Sequence, residues 1–174
     1  RQLEEYCEKL KCKVEPGTTF NYVSGDTQLL GLILQEVLVE KSITSYLDEK
    51  VWSKLGMEYS ASWSTDKKDG VEKTFCCINA RARDFAKLGR LYLKKGEWQG
   101  EQLIPRSWVE ASTKVDEQEG SAWFYQHQWW IPNRTGAFMA EGILGQFVYV
   151  DPNKEMIIVR LGKKDGNADW WGIF

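Results

Sequence analysis

One histidine in 174 residues is the sharpest shortage in this sequence. It removes mechanisms that need paired imidazoles, and a Ser-His-Asp triad would have to use His127. That residue stands in an aromatic run, Trp123 to Ile131, with no Gly-x-Ser-x-Gly turn nearby to present a nucleophile, so a structural role is expected of it. The four cysteines are Cys7, Cys12 and the adjacent Cys76 and Cys77, and neither pair has the spacing or the His partners of a zinc site. No metal and no other cofactor is therefore expected, and the thiols read as free, buried, small apolar groups. An excess of either charge is also missing. Lys and Arg number 23 against 25 Asp and Glu, for a net charge of −2, which leaves no basic footprint for nucleic acid. No stretch approaches the roughly 18 apolar residues of a membrane span; the longest, Leu29 to Leu34, stops at Gln35 and Glu36. What is present in quantity is apolar and aromatic, 43% and 13% of residues, which excludes a disordered chain.

Periodicity divides the chain into a helical first part and a strand-rich second part. From Thr27 to Val39, Leu30, Ile33, Leu34, Val37 and Leu38 recur at the spacing of a buried helix face. A second helix is predicted from Thr44–Ser45, with Ser45-x-x-Asp48 as a capping box, to a stop at Gly56. Residues 58–74 read as a polar loop. Asn79 is placed to cap a helix over Ala80 to Lys95, with Phe85, Leu88 and Tyr92 inward and Lys94 and Lys95 complementing the dipole at its end. Pro105 suits the first turn of a short helix through Trp108. Then the texture changes. Residues 123–131 alternate like one strand, Pro132 to Gly136 is turn chemistry, and two further strands cover Gln146 to Val150 and Met156 to Leu161. Helices followed by an antiparallel meander make an α+β fold rather than alternating βαβ.

A Ser/Lys mechanism needs no histidine, because a Lys one helical turn beyond a Ser can take its proton when burial lowers the Lys pKa. The one Ser-x-x-Lys here, Ser64 to Lys67, lies in the polar loop beside Lys68 and Asp69 with nothing to bury Lys67, so it is read as coincidence. Other segments carry more. Pro16-Gly17, Phe20, Tyr22-Val23-Ser24 and Leu29-Leu30-Gly31 occur in the order of a second-motif region. Leu55-Gly56-Met57 follows, then Ala82-Arg83-Asp84 with Gly89-Arg90-Leu91-Tyr92-Leu93 and Trp98, and finally Gly142-Ile143-Leu144-Gly145-Gln146 with Val150 and Pro152. In that order these blocks resemble the β-lactamase-related serine hydrolases, which include class C β-lactamases, penicillin-binding-protein-like esterases and 6-aminohexanoate-dimer hydrolase. The resemblance runs from about Pro16 to Leu161.

The resemblance implies roles. Tyr22 would relay a proton between the Ser/Lys pair and the leaving group. Ser24 would hold the Lys and the substrate amide. Leu144 stands where the family has a basic residue or His, Gly145 follows it, and Gln146 opens a strand edge whose backbone N–H would help stabilise an oxyanion. Leu144 removes the charge that would hold a β-lactam carboxylate, which favours an ester or amide. The family's Ser-x-x-Lys precedes the Tyr block, yet no Ser precedes Tyr22 here. The chain is thus expected to be the C-terminal portion of a β-lactamase/transpeptidase-like domain, 1–120 helical and 121–174 sheet, inactive alone and partnered by a missing N-terminal segment of the same protein. A small ester, amide or lactam is the expected substrate, and the family commonly works in the cell envelope or periplasm. Trp129 and Trp130, with Trp123, Trp170 and Trp171, would line an apolar or sugar-stacking pocket, or else pair across strands to stabilise the sheet. The alternative function is a non-catalytic glycan- or peptidoglycan-binding or sensor module on the same fold.

Overall fold

A computed structural model describes residues 2–174. Arg1, where the polar opening stretch begins, lies outside the described residues. The chain forms two compact units, one from the segment ending at Gly56 plus Ser60–Ala80, the other from Met57–Tyr59 plus Arg81–Phe174.

In the first unit α1 (Gln2–Cys7) packs on α2 (Ser24–Val37), where Gly25 leaves room for Tyr6 and Leu10 at 3.3 Å. The apolar stripe of α2 is not buried. Leu30 is 57% exposed, Ile33 54% and Val37 70%, while the buried positions are Gly25, Gln28 and Gly31. Periodicity identifies residues that share a face; what covers that face is a tertiary matter. The covered face here is polar, because the chain at Glu72–Thr74 lies on it and its backbone needs partners. Gln28 supplies them. Its Nε2 donates to the Glu72 carbonyl at 3.1 Å and its Oε1 accepts from the Thr74 N–H at 3.1 Å.

The next helix, α3 (Ile43–Leu47), is capped by Ser42, whose hydroxyl accepts from the Ser45 N–H at 3.1 Å. The predicted Ser45/Asp48 box is therefore displaced by one turn, and Asp48 instead opens a π-helical turn, Asp48–Trp52, where it accepts from the Ser53 hydroxyl. Gly56 does end this segment, at φ +58°. The polar stretch after it is more than a loop: β1 (Ser62–Trp63) pairs antiparallel with β2 (Ile78–Asn79), and Thr65 bridges Glu72. Ser64 and Lys67 sit in this hairpin rather than on a helix, and Lys67 is exposed. Cys7 is buried and free as expected, but Cys12 is exposed, and Cys76 and Cys77 are joined to each other by a disulfide.

The second unit is a helix on a sheet. Helix α4 (Ala82–Leu93) has Arg81 at its cap position with no side-chain bond, because Asn79 is held in β2 and donates to the Cys77 carbonyl. The hairpin β3 (Glu97–Trp98) and β4 (Glu101–Gln102) follows, then α5 (Arg106–Thr113), with Pro105 one residue ahead of its first turn. The meander consists of β5 (Tyr125–Gln126), β6 (Trp129–Trp130), β7 (Phe138–Gly142), β8 (Gln146–Asp151) and β9 (Met156–Arg160), in that spatial order. The predicted single strand over 123–131 is in fact a hairpin turning at His127 (φ 43°) and Gln128 (φ 76°), and β7 has no counterpart in the sequence reading. Gly89 of α4 sits 3.0 Å, in Cβ terms, from Ile157 and 3.2 Å from Val148, so a glycine lets the helix lie close on the sheet. That face holds Trp129, Ile131, Phe138 and Val150. The opposite face holds Ala137, Met139, Phe147 and Tyr149, covered by the C-terminal turn α6 (Trp170–Ile173) and Phe174.

Candidate active site

Tyr22 and Ser24 lie at the start of α2, in the first unit. Ser24 is the first helical residue, and Val23 ahead of it is extended, with φ −130° and ψ 120°. The extended residue turns the chain into the helix, so both side chains belong to its N-terminal rim. Both are exposed, Tyr22 by 51%, which departs from a tyrosine buried for packing alone. The rim is held from below: Thr74 donates its hydroxyl to the Thr27 carbonyl at 3.1 Å, and Gln28 secures the same loop.

Leu144, Gly145 and Gln146 belong to the second unit, at the hairpin joining β7 to β8. The tip is solvent-facing at Ile143 (82% exposed) and Leu144 (45% exposed), whereas Gly145 is buried. Gln146 stands at the first position of its strand, ahead of the pairs that β8 makes with β9. It opens β8, which is flanked by β7 and β9, and is paired with Gly142. The Gln146 side chain is occupied as well, donating Nε2 to the Gly162 carbonyl and accepting the Gly162 N–H at 3.1 Å. The Gly145 carbonyl accepts from the Arg160 guanidinium, which also reaches the Leu144 carbonyl at 3.4 Å and lies over the Trp170 ring at 4.2 Å. A Cβ at Gly145 or at Gly162 would run into that guanidinium. Arg160 is the residue the sequence reading missed. A lone Arg at a strand end carries no motif, and only folding sets it between two glycines.

The two tryptophans named for a pocket do not share one. Adjacent strand residues point to opposite faces. Trp129 is 6% exposed, with its ring 4.6 Å from Tyr92 and 5.0 Å from Phe138 in the core. Trp130 faces the other side, 4.8 Å from Tyr125 and 5.8 Å from Trp171. These contacts match the sheet-stabilising reading. Among the described residues no cluster of His, Cys, Asp and Glu could hold a metal ion, and no helix is long and apolar enough to cross a membrane.

Comparison with known proteins gives this geometry a context. The 6-aminohexanoate-dimer hydrolase of Paenarthrobacter ureafaciens is 29% identical, over 88% of this chain and 42% of its own length. A Bacillus anthracis structure described as a candidate 6-aminohexanoate-dimer hydrolase superposes with a TM-score of 0.86 at 34% identity, covering 96% of this chain and 44% of that one. A Bacteroides dorei structure described as a candidate β-lactamase shares the fold, with a TM-score of 0.71 at 16% identity over 95% of this chain and 58% of that one. The chain thus spans less than half the length of the first two. The family model described as Beta-lactamase matches residues 1–170. With the ordered blocks, the helix-plus-antiparallel-sheet architecture and a family match over nearly its whole length, the chain belongs to the β-lactamase-related serine hydrolase family.

Proposed function

We propose that the protein carrying this chain is a serine hydrolase that cleaves an ester, amide or lactam through an acyl-enzyme. The observation that carries this reading is Tyr22, an exposed tyrosine at the N-terminal rim of α2 inside the second-motif block of a family-matched chain. In the proposed sequence, a Lys elsewhere in the protein takes the proton of a Ser nucleophile, whose oxygen attacks the substrate carbonyl. Tyr22 passes a proton to the departing amine or alcohol, Ser24 orients the Lys and the substrate amide, and water then releases the acyl group. On the family resemblance, the Gly145–Gln146 strand edge would supply a backbone N–H to the oxyanion, where one donor contributes about 3 kcal/mol. Leu144 brings no charge to the site, which favours a substrate without a carboxylate there. The relatives named for an amino-acid dimer point to an amide among the three substrate classes.

The same proposal makes this chain part of one larger domain, and inactive by itself, since no Ser precedes Tyr22 to act with the family's Lys. The exposed stripe Leu30, Ile33 and Val37 supports a further segment of the same protein packing on α2. The rival reading, a glycan-binding module, is less well supported because Trp129 is in the core and Trp130 packs against Trp171.

The test is active-site labelling of the full-length protein with a fluorophosphonate, alongside Tyr22→Phe. Labelling of the wild type, slowed about 100-fold or more in the variant, is expected for loss of a proton relay. A full-length protein that takes no label, or a Tyr22→Phe variant that labels at the wild-type rate, would overturn the reading.

A further inference from the structure

The structure joins Cys76 to Cys77, neighbours in sequence, by a disulfide. Stabilisation by a disulfide grows with the length of chain it closes, and a bridge between adjacent residues closes almost none. Stapling the fold is therefore a poor account of it. Its surroundings suggest another. Cys77 is exposed and lies in the left-handed region at φ 78°, a conformation uncommon for non-glycine residues. The segment it holds is dense with anchors. The Trp63 indole donates to the Lys73 carbonyl at 3.0 Å and the Cys76 carbonyl at 2.9 Å. The Ser64 N–H reaches the Cys77 carbonyl at 3.2 Å, and the Cys76 N–H turns back to Lys73 at 3.0 Å. Thr74, in the same turn, is bonded to Thr27 and Gln28 of α2 and lies against Gly31, where any Cβ would strike it.

We propose that Cys76–Cys77 is a reversible redox switch that sets how firmly the Lys73–Cys77 turn anchors the N-terminal half of α2. The reductant is a dithiol. One of its thiolates attacks Sγ of exposed Cys77, forming a mixed disulfide and expelling Cys76 as a thiolate that takes a proton. The second thiolate attacks the reductant's own sulfur in the mixed disulfide, releasing Cys77 as a second thiol. Two electrons pass to the protein, two protons follow, and the dithiol becomes a disulfide. Opening the ring frees the Cys77 backbone from its left-handed conformation. The Cys76 and Cys77 carbonyls then turn away from Trp63 and Ser64, and Thr74 loosens from Thr27 and Gln28. Tyr22 and Ser24 stand on the helix end so released; the extension to catalysis rests on the hydrolase reading, and reduction would lower activity.

The test uses the full-length protein with hydrogen exchange and peptide-level thiol alkylation. After dithiothreitol, Cys76 and Cys77 become alkylated, and amides in 24–31 and 61–79 exchange roughly tenfold faster, as loss of one or two hydrogen bonds predicts. The sheet at 138–160 stays unchanged, and reoxidation restores protection. Cys76→Ser/Cys77→Ser exchanges fast with or without dithiothreitol. Unchanged exchange despite complete alkylation, or full alkylation of both thiols in oxidised buffer before any reductant, would overturn the switch. Fluorophosphonate labelling in both redox states reports separately on catalysis. If no label is ever taken, the hydrolase reading fails while the exchange data still decide the switch.

Discussion

At the scale of single residues, the positions that matter most here are polar groups buried for the sake of other people's backbones, so to speak, rather than for their own burial. Gln28 is fully buried on α2 and satisfies the Glu72 carbonyl and the Thr74 N–H with the two ends of one amide. Replacing it by Leu keeps the volume and leaves both backbone groups without that partner. Gln28→Leu is expected to destabilise the protein by about 2–4 kcal/mol, read from urea unfolding. Asp151 plays the corresponding part in the second unit. Burial pushes its carboxyl pKa up, but hydrogen bonds from the Lys154 side chain and N–H, the Lys154 charge and the Asn153 N–H outweigh this and hold it below the usual value. A carboxyl whose folded pKa is depressed adds stability above its unfolded pKa and loses it as pH falls through the folded value. The contribution of Asp151 is thus intact above about pH 4 and disappears below it. Asp151→Asn should narrow the gap in unfolding free energy between pH 7 and pH 3; an unchanged gap would show that Asp151 is not a source of acid sensitivity.

Elements show how local pattern and tertiary cover part company. The hairpin β5–β6 turns through two non-glycine residues at positive φ, His127 and Gln128. Left-handed backbone costs an L-residue about 1 kcal/mol, and two-residue hairpin turns of this kind favour glycine at the second position. Gln128→Gly should accordingly raise the thermal midpoint, by about 0.5–1 kcal/mol of added stability. The helix α2 makes the opposite case. Its stripe has the right spacing for burial yet lies open. If a further segment of the same protein covers it, Ile33→Ala in the full-length protein should cost about 2–4 kcal/mol. If the face is open there too, the same change should stay within about 0.5 kcal/mol. Denaturant midpoints distinguish the two.

At the scale of the molecule, the second-motif residues lie in one compact unit and the third-motif hairpin in the other. The sheet unit is closed on both faces, by α4 on one and α6 with Phe174 on the other. The helical unit leaves an apolar face open, and the relatives are more than twice as long as the stretch matched. Both facts fit the proposal that this chain is part of a larger domain.

By itself the sequence determined the α+β order, the helices α2 and α4, the strands β8 and β9 and the family, because these rest on periodicity, on helix-ending glycines and on short blocks in fixed order. It did not determine where strand β7 runs, since Phe138–Gly142 is too short and too mixed to show a period. Nor could alternation over 123–131 reveal a turn, because His127 and Gln128 are not turn-forming types and the left-handed backbone is imposed by pairing of β5 with β6. Only the tertiary structure decided that Gly145 is small to admit Arg160, that Trp129 and Trp130 face opposite ways, and that Cys76 bonds to Cys77 beside the anchor of α2. The physical reason is common to all of them. A pattern along the chain records which side chains share a face, whereas a site depends on what distant segments place against that face.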